Sequence, residues 1–215
     1  MAIPRAAKTQ RRTRIQEEKE ELILEAALDV FAVHGFRGTT IDQIAEVAGM
    51  SKPNLLYYFR TKEAMHRALI ERVLENWLEP LRAFDAEGDP EAEVRSYIRR
   101  KLEMARDFPR ESRLFANEML QGAPHIEDVL KGPLKKLVDE KAEVIISWTE
   151  AGKIVACDPR HLIFSIWSTT QHYADFDVQV RAVLGEGKAA TDRFADAAAF
   201  LEAFFIRGLM AGAKR

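Results

Sequence analysis

Apolar residues along this chain recur at intervals of three and four, punctuated by glycine and proline, and strand-like alternation is nearly absent. That period belongs to the amphipathic helix, so the sequence predicts an all-α protein. A first helix is expected from about Gln16 to His34, with Leu24, Ala27, Leu28 and Phe31 inward. Two short helices follow on either side of Gly49. A longer helix is expected from Glu63 to about Phe84, with Pro80 kinking or ending it near Glu79. Glu87-Gly88-Asp89-Pro90 reads as a turn, followed by a helix to about Asp107. Pro109 restarts a helix that ends near Gly122-Ala123-Pro124, and Ile126 to Glu150 is helical with an interruption near Gly132-Pro133. Asp158, with Pro159 at the first helical position, opens a helix expected to reach about Leu184 before Gly185 and Gly187. The last helix starts at Thr191 or Asp192 and runs to about Met210.

The segment from Thr40 to Phe59 is the most specific. Thr40 caps a short helix, and Gln43 three residues on completes a capping box. Ile41, Ile44, Ala45 and Ala48 share one apolar face. Gly49 supplies the left-handed residue of a sharp turn. Ser51 caps the second helix, and Pro53 sits in its first turn, where no backbone donor is lost. Leu55 and Phe59 point one way, leaving Lys52, Asn54, Tyr57 and Tyr58 elsewhere. This is a helix-turn-helix with an exposed polar and aromatic face. Lysine donates to guanine O6 or N7, asparagine pairs with adenine, and a tyrosine hydroxyl suits a phosphate oxygen. Arg60 and Lys62 add positive charge, and Thr61 caps the next helix.

Net charge changes this picture little: it is −2 over 215 residues. Its distribution matters more. Arg5, Lys8, Arg11, Arg12 and Arg14 precede any acidic residue, which reads as a basic arm for phosphate or minor-groove contact. The expected organisation is a basic flexible arm over 1–15, a DNA-binding head over 16–62 and a body over 63–215. The single cysteine, Cys157, permits no intrachain disulfide, in keeping with a reducing compartment. No apolar run reaches the ~18 residues that span a bilayer, and no signal-peptide core follows the basic residues. A soluble cytoplasmic protein without membrane association is expected.

From Ile23 to about Leu69 the chain resembles the TetR family of bacterial transcriptional regulators. The resemblance rests on Ala26-Ala27-Leu28-Asp29-Val30-Phe31, His34-Gly35-Phe36, Gly38-Thr39-Thr40, Ile44-Ala45, Ala48-Gly49, and Leu56-Tyr57-Tyr58-Phe59 with Lys62-Glu63. It implies a homodimer with one DNA-binding head per subunit and a ligand-binding body. It also implies that Thr40, Tyr58 and Lys62 touch phosphates, and that Ser51, Lys52, Asn54 and Tyr57 belong to the groove-facing helix. Further stretches resemble the pyrimidine-utilisation branch of that family: Trp77-Leu78-Glu79-Pro80-Leu81, Ser112-Arg113-Leu114-Phe115, Gly122-Ala123-Pro124 and Thr170-Gln171-His172-Tyr173-Ala174-Asp175-Phe176. That second likeness implies uracil or thymine as effector. The N-terminal arm, the region around His125-Ile126-Glu127 and the chain after Ala182 depart from it.

In the body, Phe164, Trp167, Gln171 and Asp175 fall on one face of the helix from Asp158. Gln171 beside Trp167 needs partners for its amide, and a pyrimidine offers N–H and C=O edges and a flat ring. Trp77 is the expected second wall, with Leu78 on its face, while Glu118 or Tyr173 closes the polar side. Phe194, Ala198, Leu201, Phe205 and Leu209 line one side of the last helix, and Ala195, Ala199 and Ala203 permit close approach. With the helix from Asp158 it is expected to pair with its copies in a second subunit. Two recognition helices would then lie ~34–36 Å apart on a palindromic operator.

An enzyme is not expected. His34, His66, His125, His161 and His172 are scattered, and no phosphate loop, GxSxG or metal-ligand spacing occurs. No catalytic residue, metal or cofactor is assigned. Two alternatives keep the DNA head: a body that senses another small molecule such as a drug, and a body that binds a protein partner.

Overall fold

The computed structural model describes residues 14–185, 187 and 189–210. Among those residues every regular element is helical, as expected. The basic arm as far as residue 13 lies outside them. Residues up to His66 form one compact unit, and Arg67 onward forms a second. The division falls within the first turns of a helix rather than at its start.

In the first unit α1 spans Arg14–Gly38, α2 Ile41–Val47 and α3 Lys52–Tyr58; α4, Lys62–Arg82, begins there and continues into the second. Arg14, read from the sequence as part of the arm, sits in the first turn of α1 and pairs with Glu18 at 2.9 Å. The regular course of α1 breaks at Gly35, whose φ is 66°, next to the expected end at His34. Ile23, Ala27, Leu28, Phe31, Ile44 and Leu55 are fully buried and form this unit's core; Leu24 is only half-buried. His66 is buried edge-on against Phe31, with ring centroids 4.8 Å apart.

The second unit holds the rest of α4 with α5 Pro90–Asp107, α6 Pro109–Leu120, α7 Glu127–Val129, α8 Lys135–Glu150, α9 Pro159–Asp175, α10 Asp177–Leu184 and α11 Ala190–Met210. Its core gathers Leu81, Tyr97, Ile98, Leu102, Ile145, Trp148, Ile163, Ile166, Leu201 and Phe205.

Three expectations need correction. Pro80 does not end α4 at Glu79, because the apolar face carries on into buried Leu78 and Leu81. The helix runs to Arg82, whose guanidinium donates to the Glu75 carbonyl at 3.0 Å. Packing outweighs one lost backbone bond so near a helix end. The expected interruption near Gly132-Pro133, by contrast, is present as a π-turn over Leu130–Leu134, which takes up the proline. The helix from Asp158 does not reach Leu184 unbroken. It stops at Phe176 (φ −116°, ψ 30°), and Asp177 starts α10, pairing with Arg181 at 2.8 Å and with Arg193 of α11 at 3.4 Å.

The third concerns α11. Phe194, Leu201, Phe205 and Leu209 pack into the chain's own core instead of forming an outward face, with Ala198 partly buried against them. The large apolar residues left outside are Phe200 and Phe204, both 62 % exposed and stacked with centroids 6.1 Å apart. Phe164 of α9 is also exposed.

Candidate DNA-binding and effector sites

Local chemistry fixes the head. The Thr40 hydroxyl accepts from the Gln43 N–H at 3.2 Å while the Thr40 N–H donates to Gln43 Oε1 at 2.8 Å, so both halves of the capping box form. The turn closes on Gly49, with φ 63°, and the Met50 N–H donates to the Ala45 carbonyl at 3.0 Å. Ser51 holds the N-cap position of α3 without a side-chain hydrogen bond, and Pro53 lies in the first turn. Thr61 accepts from the Ala64 N–H at 3.0 Å and caps α4.

Helix α3 buries Leu55 and turns Lys52, Asn54 and Tyr57 to solvent. Tyr57 is 72 % exposed and stands edge-on to half-buried Tyr58 at 5.2 Å. An exposed tyrosine on a short polar helix suits groove and backbone contact better than packing. Lys52 is tied across the turn to Asp42, 2.8 Å away. Lys62 is committed inward: its ammonium donates to the carbonyls of Phe36 and Thr39 at 2.7 and 2.8 Å and sits 4.4 Å over the Phe36 ring. Two of its three donors therefore brace the backbone between α1 and α2.

In the body, four helices bring polar groups against two indoles. Trp167 of α9 donates through Nε1 to the hydroxyl of Tyr97 on α5 at 2.5 Å. One turn along α5, buried Lys101 lies 4.4 Å over the ring of Trp77 on α4. Trp77 also meets Phe115 of α6, with centroids 6.3 Å apart. One turn back along α6, the buried Ser112 hydroxyl donates to Asp175 of α9. Gln171 lies half-buried between Trp167 and Asp175 on α9, and its amide makes no hydrogen bond among the described residues. Burial pushes the Lys101 ammonium down to about 7, with the Asp175 charge opposing. Burial raises the Asp175 carboxyl, with the Ser112 bond opposing.

Trp77, Trp167, Gln171 and Asp175 thus belong to one cluster, while three other expected residues are engaged elsewhere. Buried Glu118 accepts from the His125 N–H at 2.8 Å and lies 3.0 Å from its Nδ1. Tyr173 packs toward Phe194 of α11, 6.1 Å between centroids. Leu78 lines a groove of about 670 Å³ with Leu74, Arg82, Val129, Pro133 and Leu137. Sequence reasoning missed Tyr97, Lys101, Ser112 and Phe115. A signal for one existed: Lys101 follows Val94, Tyr97 and Ile98 on the buried stripe of α5, where a charge is out of place.

Residues 23–69 match the model described as bacterial regulatory proteins, tetR family, and residues 70–212 match that of the YcdC-like protein, C-terminal region. The chain belongs to the TetR family of DNA-binding transcriptional regulators. It is 53% identical to the HTH-type transcriptional regulator RutR of Escherichia coli K12 over 177 residues, 82% of this chain and 84% of that one. A TetR-like transcriptional regulator from Rhodococcus sp. RHA1 shares its fold with a TM-score of 0.65 at 25% identity, covering 96% of this chain and 98% of that one. A transcriptional regulator of Streptomyces coelicolor, SCO4942, does so with a TM-score of 0.66 at 25% identity, over 86% and 97%. These relatives are regulators, not enzymes. Among the described residues no helix is long and apolar enough to cross a membrane.

Proposed function

We propose that this chain is an effector-released repressor of pyrimidine-catabolism genes, dimeric and cytoplasmic, with uracil or thymine as its effector. Asn54, Lys52 and Tyr57 of α3 read the groove, while Thr40, Tyr58 and the remaining donor of Lys62 serve phosphates. The observation that carries the effector reading is the body cluster: two indoles, an unpaired half-buried amide and a polar pair within one set of helices. Flat walls with a few convergent polar groups suit a small heterocycle. The identity to RutR extends through the body, which favours a shared effector class.

Effector and operator act on each other through α4, which starts at Lys62 in the head and carries Trp77 in the body. A ligand moves the equilibrium only by its differential affinity for the two states. A coupling of ~1–3 kcal/mol loosens DNA ~5–150-fold, and the operator weakens effector binding by the same factor. The test is operator titration by fluorescence anisotropy with and without uracil, beside uracil titration with and without operator. Equal uracil affinity in both conditions rejects the coupling, and no stabilisation by any pyrimidine base rejects the effector.

A further inference from the structure

Lys52 and Asp42 join the two short helices of the head across their turn, Nζ to Oδ2 at 2.8 Å. Asp42 lies in the first turn of α2 and Lys52 opens α3. The backbone sets the turn between them, with Gly49 at φ 63° and the Met50 N–H on the Ala45 carbonyl. Both side chains stay open, Asp42 at 69 % and Lys52 at 47 % exposed. An exposed ion pair of this kind adds little to stability. On a face that meets DNA, moreover, a carboxylate stands in the field of the phosphates. An acid there is tolerable where it finds a donor among the base edges.

An ammonium has three donors and a carboxylate two acceptor oxygens. Among the described residues Lys52 makes one side-chain hydrogen bond, to Asp42, and Oδ1 of Asp42 takes no donor. The fold thus holds a spare donor and a spare acceptor side by side. A guanine–cytosine pair presents the complement: guanine O6 accepts and the cytosine N4 amine donates. Those two atoms are hydrogen-bonded to each other in the base pair, so they lie about 2.9 Å apart. The 2.8 Å between Lys52 and Asp42 matches that spacing. A second lysine donor suits guanine N7. A thymine–adenine pair offers oxygen and amine in the same order. It puts a methyl where that second donor needs N7, however, and an acceptor beside the carboxylate. The two reversed pairs set an amine against the ammonium and an oxygen against the carboxylate.

We propose that Asp42 and Lys52 together read one guanine–cytosine pair, Lys52 donating to guanine O6 and N7 and Asp42 accepting from the N4 amine of the paired cytosine. The inference deepens the groove reading of α3 above and rests on it.

The experiment selects the full-length protein's preferred duplex from randomised half-sites and titrates it by anisotropy, with wild type, Asp42→Ala, Lys52→Ala and the double variant. Wild type is expected to fix guanine–cytosine at one position per half-site, by about 10-fold or more over the other pairs. Both single variants are expected to relax that same position, and the double variant little more than either, as for residues that share one partner. N4-methylcytosine at that position replaces the groove-facing N–H by a methyl. It is expected to weaken wild type about 10-fold and Asp42→Ala less than about twofold. An aspartate that only orients Lys52 would leave the methyl penalty the same in both proteins. Equal penalties, relaxation at two different positions, or a relaxed position that is not guanine–cytosine overturns the pair. If a variant does not fold, wild-type indifference to N4-methylcytosine at every fixed guanine–cytosine position overturns it alone. A sequence preference that survives Asp42→Ala intact rejects the pair and leaves the groove reading standing, whereas no sequence preference in wild type rejects both.

Discussion

Lys62 lies 4.4 Å over the ring of Phe36 and donates to that residue's own carbonyl at 2.7 Å. With the second bond to Thr39, the side chain ties the start of α4 to the turn between α1 and α2. Hydrogen bonds to a charged donor are worth roughly 1.5–3 kcal/mol each. Lys62→Met is expected to destabilise the head by about 2 kcal/mol and to weaken operator binding at every salt concentration. Thermal melts and anisotropy titrations check this. A variant with native stability and only a shallower salt dependence would restore Lys62 to a plain phosphate contact.

The Asp42–Lys52 bridge is exposed at both ends, so it adds little to stability. It does place a carboxylate beside the candidate groove lysine. Asp42→Asn is expected to leave the melting temperature almost unchanged and to tighten operator binding a few-fold at low salt. The gain should shrink as salt rises, which anisotropy at several salt concentrations measures.

Asn54 is exposed on α3 and suited to an adenine edge. Asn54→Ala is expected to cost about 1–3 kcal/mol against the preferred operator and to relax the choice at one base pair per half-site. Binding to randomised half-sites reads this out. A uniform loss across all sequences would make Asn54 a backbone contact.

Stability should also carry the mark of Lys101. Its folded-state pKa of about 7 lies well below the ordinary 10.5. Below about 7 the ammonium is charged in both folded and unfolded chains, and the burial penalty is full. Between about 7 and 10.5 the unfolded chain holds a proton that the folded one lacks, so this group's contribution rises with pH. Asp175, raised by burial, works in the opposite direction at acid pH. Lys101→Met is therefore expected to stabilise the ligand-free protein most near pH 6, by a few kcal/mol at most, with the gain fading toward pH 10. Urea melts across that range measure it; a gain independent of pH would assign the effect to packing alone.

Much of the head was legible because its signals are local. Thr40 and Gln43 cap within one turn, Gly49 needs a positive φ, and Leu55 is the single buried anchor of a short helix. The body was legible only where punctuation is strong, as at Asp89-Pro90 and Asp158-Pro159. The break at Phe176 has no glycine or proline beside it; Ser112, 63 residues away, holds the neighbouring Asp175, and no local pattern carries that. Likewise Glu118 looked like a wall of the effector site until His125, across a turn with Ala123 at φ 55°, folded back onto it. The side of α11 that faces its own core and the side that faces water are both aromatic, so periodicity alone could not tell them apart.

Those outward rings of Phe200 and Phe204 have a practical consequence. A lone chain keeps two large oily plates in contact with solvent, a state that association with a twin relieves. How firmly the fold resists heat should then depend on how crowded the solution is with copies of itself, and dilute samples should melt earlier than concentrated ones.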